Sequence, residues 1–290
     1  MLKTLKNSAV LGAIATLFGI SVASTPAQAQ IETSFGNFAP SVIATSNYIF
    51  RGLSQSKREP ALQANLEYTY PIGDFTPYLG AFASTVRFPA NNTPAGSQTI
   101  RQHLELDLFG GVRYATPLAG LTLDAGFISY TYPNNTADRI SGGVGPNTYG
   151  NPQWNEVYGK FAYDFSLAVA VGSVFYAKDF SYAGGEAWYY EGGFDVPLPY
   201  AFLLSGRVGR QTIQNNYSFG VPDYTTWNVG LARDFEVPFT FTLAAVYSDT
   251  NIKKGSSLGL DKVAGTPGVL LSDTYEQTKG QVALSFIKKF

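Results

Sequence analysis

Ionisable side chains recur at alternate positions in this chain, most densely at Arg101, His103, Glu105 and Asp107, with Arg113 in the same register. Residues two apart on an extended strand share a face, so Glu105 and Asp107 are predicted neighbours. Adjacent carboxyls can serve as acid and base on a glycosidic bond. His103 is the single histidine, hence the one imidazole that could activate a serine for acyl transfer, a chemistry that needs nucleophile and base within hydrogen-bond reach. The chain has no cysteine, which excludes disulfides and thiolate metal sites, and one histidine leaves little for a transition-metal cluster. No phosphate-binding loop appears, and no cofactor is expected. A charged wall explains the alternation more simply than catalysis does.

The intervening residues say where such a wall would stand. Leu104, Leu106, Leu108, Val112 and Tyr114 share the face opposite the charges. Near 153–164, Val157, Phe161 and Tyr163 oppose Glu156, Lys160 and Asp164. Elsewhere Leu121, Leu123 and Phe127 oppose Asp124, Phe202, Leu204 and Val208 oppose Arg207, and Trp188, Tyr190, Phe194 and Val196 oppose Glu191 and Asp195. An arginine or lysine facing lipid at mid-bilayer costs roughly 2–4 kcal/mol. If the apolar faces meet lipid, the charged faces must turn to an enclosed interior.

Twelve such segments are predicted, near 38–51, 60–70, 75–88, 99–116, 121–132, 153–164, 166–179, 186–197, 201–213, 223–235, 239–252 and 275–290. Most reach the roughly 9–11 residues of a tilted membrane strand. Breaks after the even segments are tight, as at Pro71–Asp74 and Pro197–Tyr200. Those after the odd segments are mostly longer and rich in Gly, Asn, Ser and Pro. That asymmetry fits an all-β, transmembrane, antiparallel up-and-down barrel of about 12 strands, with short periplasmic turns and longer extracellular loops. The chain stops on QVALSFIKKF, where Val282, Leu284 and Phe286 alternate with Gln281, Ala283 and Ser285. An unpaired edge cannot face hydrocarbon, so this segment is predicted to close the barrel on the first. Tyr48, Tyr70, Tyr78, Phe88, Tyr114, Trp154, Trp227 and Phe235 are candidates for interfacial girdles.

Residues 1–29 read as a cleaved secretory signal: Lys3 and Lys6, an apolar stretch from Ala9 to Val22, then Ala27-Gln28-Ala29. The barrel then occupies 30–290 as one domain. Losing the two signal lysines leaves 18 basic against 21 acidic residues, too near balance to imply nucleic acid. Extending the parity, the predicted pore-lining set is Arg51, Arg87, Arg101, His103, Arg113, Lys160, Lys178, Arg207 and Lys279 with Glu67, Glu105, Asp107, Asp124, Glu156, Asp164, Glu191 and Asp195. The charges could cross-pair into a filled plug, or line a narrow aqueous passage. The loops 133–152 and 253–274 are long enough to fold inward.

The first segment, Val42-Ile43-Ala44-Thr45-Ser46-Asn47-Tyr48-Ile49-Phe50-Arg51-Gly52-Leu53-Ser54-Gln55 with Pro60 and Ala61 following, resembles the opening of the TorF-family porins, predicted proteobacterial outer-membrane barrels. Tyr48, Arg51, Gly52, Ser54 and Gln55 match the family pattern, and Asn47 replaces its acidic residue. The resemblance implies an outer-membrane location and passive solute passage. From the residues themselves, Arg51 is expected to turn into the mouth and pair with a lumen carboxylate, Gly52 to permit a sharp bend, and Ser54 and Gln55 to satisfy the loop backbone. The leading expectation is a channel for small polar solutes or ions, with outer-membrane lipid around it. The alternatives are a plugged structural or adhesive barrel and, in another class, a barrel hydrolase.

Overall fold

The computed structural model describes residues 31–87, 103–133, 152–236, 239–260, 267–269 and 272–290. Twelve antiparallel strands form a closed cylinder: β1 Gly36–Thr45, β2 Ala61–Thr69, β3 Phe75–Thr85, β4 Leu104–Ala115, β5 Leu121–Thr131, β6 Trp154–Asp164, β7 Val169–Phe180, β8 Gly185–Leu198, β9 Phe202–Ile213, β10 Tyr224–Phe235, β11 Phe241–Thr250 and β12 Gln281–Lys289. Each pairs with its sequence neighbours, and β12 closes on β1 through partners such as Ser285↔Thr45 and Lys289↔Ser41. The closing strand is therefore the one predicted, and the sheet has no free edge to satisfy. The signal segment 1–29 lies outside the described residues.

Alternation sorts the two faces. Leu62, Leu79, Leu108, Val157, Phe194, Val208, Val282 and Leu284 are each more than half exposed on the outer wall. So large an apolar surface marks a face that meets something other than water. Aromatic pairs flank it at both ends. Phe75 stacks on Tyr114 and Phe235 on Phe241 at the short-turn end, while Tyr176, Trp188 and Tyr190 cluster at the other. Of the girdle candidates, Tyr70, Tyr114, Trp227 and Phe235 stand on this outer face, and Phe88 lies outside the described residues. Tyr48, Tyr78 and Trp154 do not; all three are buried in the interior. Their rings are apolar enough for lipid, but the hydroxyls of Tyr48 and Tyr78 bond carboxylates inside, and Trp154 stacks on Tyr130.

Two predicted segments end early. The first leaves the wall after Thr45, and the last joins it only at Gln281, after a short helix at Ser272–Glu276. Between β1 and β2 the chain turns into the bore instead of continuing along the wall. Asn47, Tyr48, Arg51, Leu53, Ser54 and Ser56 are all buried there.

Candidate functional site: a hairpin in the bore

The inward segment is a two-residue hairpin in which Ile49 pairs with Ser54 and Phe50 with Leu53. Arg51 and Gly52 form its tip with φ of +48° and +83°. Two successive left-handed residues make the tight turn that suits twisted strands. Glycine is required at the second, because a Cβ there would lie 2.4 Å from Thr226 Oγ1. Arg51 holds a left-handed φ without that freedom, a local strain that the surroundings must over-determine.

They do so with a bidentate clamp. Arg51 Nη1 donates to Glu156 Oε1 at 2.8 Å and Nη2 to Glu156 Oε2 at 2.7 Å, and Nη1 also donates to Gln211 Oε1 at 3.2 Å. Phe50, Phe175 and Tyr189 place rings within 5 Å of the guanidinium. Burial works to discharge the guanidinium, but the facing Glu156 carboxylate outweighs it and holds the Arg51 pKa above its ordinary value. The base of the hairpin and the Gly52 carbonyl at its tip are tied as firmly. Asn47 Nδ2 donates to Gln281 Oε1 at 2.8 Å, Gln281 Nε2 donates to the Gly52 carbonyl at 2.9 Å, and Ser54 Oγ donates to Asn47 Oδ1 at 2.7 Å. Ser54 also accepts from the Arg58 amide, and the Gln55 amide donates to the Tyr48 carbonyl. Tyr48 OH donates to Glu105 Oε1 at 3.1 Å. Burial, followed by the nearby Glu105 and Asp107, pushes the Tyr48 hydroxyl pKa well up.

A second network fills the interior toward the short turns. Arg113 grips Glu67 with two bonds of 2.8 and 2.7 Å and has its Nε 4.0 Å from Asp124. Tyr78 OH donates to Asp124 at 2.6 Å and meets Tyr158 OH at 2.5 Å. Lys160 lies over the Tyr158 ring, in register with Asp124 on the neighbouring strand. Arg207 holds both oxygens of Asp195 at 2.7 Å. Glu191 accepts from Tyr189 OH at 2.6 Å, and Asp164 keeps the inward parity but accepts the Ser166 amide of the adjoining turn.

Four members of the predicted lining set stand elsewhere, and Arg101 lies outside the described residues. Arg87 is exposed because the inward residues of β3 are Thr76, Tyr78, Phe82 and Ser84; it pairs with Glu59 at the rim. His103 precedes β4 and is exposed, so it does not join the lumen charges. Lys178 is exposed because the inward residues of β7 are Phe175 and Ala177, so it shares the outward parity of Tyr176. Lys279 precedes β12 and pairs with Glu276 in the loop. Of the two loops long enough to fold inward, 134–151 of the first lies outside the described residues, as do 261–266 and 270–271 of the second.

A family model described as a bacterial protein of unknown function, Gcw_chp, matches residues 29–269. The chain belongs to the Gcw_chp family. That match carries no activity, and it does not confirm the TorF resemblance. No curated protein matches the sequence. Among solved structures, the COG4313 outer membrane channel from Pseudomonas putida F1 aligns over 92% of this chain and 100% of its own, at 11% identity and a TM-score of 0.53. At that identity the likeness is one of fold. A Pseudomonas aeruginosa FadL homologue covers 89% of this chain and 76% of its own at 11% identity and TM-score 0.49. A refined porin covers 79% and 62% at 11% identity and TM-score 0.38, so this chain spans under two thirds of that porin's length. The last two scores are too low to bear on the argument.

Within this Gcw_chp chain, sequence reasoning missed Tyr78, Tyr130, Trp154 and Gln211 as interior residues, and set Gln281 on the polar face of the closing strand without placing it in the lining set. Strand parity could have found Tyr130, which lies an even number of residues from Asp124 and donates to Glu156 at 3.0 Å. Gln211 lies an even number of residues from Arg207, so the same parity reaches it.

Proposed function

We propose that this protein is an outer-membrane channel for small polar solutes or ions, exported by a cleaved signal at 1–29, with its passage narrowed by the Asn47–Ser56 hairpin. The apolar outer wall and aromatic girdles support a lipid setting, and the short-turn rim is then periplasmic. The TorF resemblance of the first motif points the same way, since the motif it rests on is the hairpin itself. One observation carries the reading: a segment of the chain enters the bore of a closed barrel and is fastened there by Arg51 and Glu156. A passive channel needs no catalyst, and the exposed His103 supports a non-enzymatic reading.

The experiment is planar-bilayer recording of the wild type beside Arg51→Ala and Glu156→Gln. Small or brief conductance in the wild type, enlarged in both variants, is the expected outcome. A permanently filled barrel is the second reading, favoured by Phe82, Ile128 and Tyr130 at 1%, 0% and 0% exposure in the bore. Silence from all three folded proteins, with no solute-driven liposome swelling, would decide for it.

A further inference from the structure

The outer wall carries few charges, and its two ends differ in them. At the long-loop end the outward positions mix signs: Lys178, Glu186, Arg210 and Asp249. At the short-turn end, the outward charges on the described strands are both positive, Arg233 on β10 and Lys288 on β12. Arg233 is level with Phe202 on β9 and Leu243 on β11, and it shares its face with Leu231 and Phe235. Neither cation forms an ion pair with a carboxylate among the described residues.

Aromatic rings hold both cations at the depth of the girdle. Arg233 Cζ lies 5.1 Å from the Phe202 ring centre and 4.8 Å from that of Phe235. Lys288 Nζ lies 5.2 Å from Phe239 and 5.3 Å from Phe290, and it donates to the Thr240 carbonyl at 3.0 Å. A continuous stack runs between the two, with Phe235 on Phe241 at 4.9 Å and Phe241 on Phe286 at 5.2 Å. Ring faces attract a cation without neutralising it, so the positive charge remains for an anion at the membrane boundary. Toward mid-wall, the outward Ala245 on β11 is level with Leu231 on one side and Leu284 on the other. Both leucines are exposed. A methyl group between two larger side chains leaves a trough about one strand wide, where a hydrocarbon chain can lie.

We propose that this face of β10–β12 binds an anionic phospholipid of the short-turn leaflet, with the phosphate drawn to Arg233 and Lys288 and an acyl chain laid over Ala245. The guanidinium offers the planar fork that suits phosphate oxygens, and the ammonium adds a second point charge. A headgroup with its own ammonium already balances its phosphate and gains less from the pair. The site rests on the reading of the outer wall as a lipid face, and not on whether solute crosses the barrel.

Native mass spectrometry of the full barrel in detergent micelles tests this, with dioleoylphosphatidylglycerol as the anionic probe and dioleoylphosphatidylcholine as its zwitterionic partner. The wild type is expected to take up its first phosphatidylglycerol about tenfold more tightly than its first phosphatidylcholine. Arg233→Gln together with Lys288→Gln erases the preference and leaves phosphatidylcholine binding in place. Lys178→Gln together with Arg210→Gln, at the opposite rim, keeps it. These side chains stand outside the packed bore, so heat-modifiable gel mobility should report a folded barrel in every case. The proposal is overturned if the wild type shows no preference, if the preference survives the loss of Arg233 and Lys288, or if the opposite-rim pair abolishes it equally. Failure of the wild-type barrel to float with lipid vesicles would overturn the lipid-face reading itself, and the site with it.

Discussion

The two halves of the interior use the same bond in different ways. Toward the short turns, Arg113 clamps Glu67 and Arg207 clamps Asp195, and all four residues stand on strands of the wall. Toward the long loops, Glu156 also stands on the wall, but its cation arrives on the hairpin. Hydrogen bonds to both neighbours fix a strand in place, so a charge stranded there cannot reach water without opening the sheet. The hairpin is held to the wall by side-chain contacts, Arg51 to Glu156 and Gln281 to the Gly52 carbonyl, which can break without opening the sheet. The comparison teaches that equal geometry, two N–H···O bonds of 2.7–2.8 Å in each case, serves rigidity in one half and a breakable closure in the other.

Arg113→Ala is the harshest test of that contrast. It strands Glu67, removes a neighbour of Asp124 and leaves Lys160 as the remaining nearby cation. Removing one partner of a buried pair costs about 3–5 kcal/mol. Urea unfolding in detergent micelles should show that loss. A drop below about 1 kcal/mol would mean that water reaches these carboxylates, and the contrast with the hairpin would vanish.

Arg51→Ala should cost the barrel less, about 1–2 kcal/mol, because release of the hairpin lets Glu156 regain water. The missing stability reappears as mobility. Amide exchange across Asn47–Ser56 should quicken while that of β4–β6 stays slow. If β4–β6 quickens equally, the hairpin belongs to the rigid frame and does not act as a closure.

Arg207→Lys probes the same bond more gently. Lysine keeps the charge but loses the planar fork, whose Nη2 holds both oxygens of Asp195 while Nη1 donates to the Phe194 and Gly206 carbonyls. The Nη1 contacts to the two carbonyls are lost while the charge stays beside Asp195, worth about 1 kcal/mol, with the fold intact by circular dichroism. A loss as large as that for Arg113→Ala would show that the fork geometry, more than the charge, supports this end of the bore.

The short-turn network was readable because it is built from alternation alone. Arg113 is the register partner of Asp124, and Asp124 of Lys160, across three consecutive strands. Once one face is assigned to lipid, these residues must meet. The long-loop half was readable only in part. The Arg51-Gly52 bend and an inward arginine follow from residue types, but the identity of its partner depends on how far the hairpin descends, which no local pattern encodes. Lys178 and Arg87 failed because each stands on the outward parity of its strand, with Tyr176 and Leu79 respectively, and Lys279 because the closing strand begins after it. Tyr78 was misplaced for a chemical reason: an aromatic ring with a polar tip suits both the lipid boundary and a hydrogen-bonded interior, while Trp154 stands inside by stacking on Tyr130. Glycine offered a neglected clue. A Cβ on Gly126 would lie 2.5 Å from Tyr158 OH, so a bare position in mid-strand marks where a large inward ring must fit.

The rim pair Arg87–Glu59 gives the smallest expected effect and bounds the others. Both side chains are about half exposed, at 55% and 50%, so water already solvates the charges that the pair would otherwise share. Such pairs contribute under about 1 kcal/mol and weaken with salt. Arg87→Ala should therefore leave the urea midpoint nearly unchanged at moderate ionic strength. Because Arg87 N also donates to the Gln55 carbonyl at 2.8 Å, the backbone contact to the hairpin segment survives the substitution. If Arg87→Ala freed the hairpin as Arg51→Ala is expected to, the closure would be held at its outer base, and the Arg51–Glu156 clamp would be a consequence of that hold.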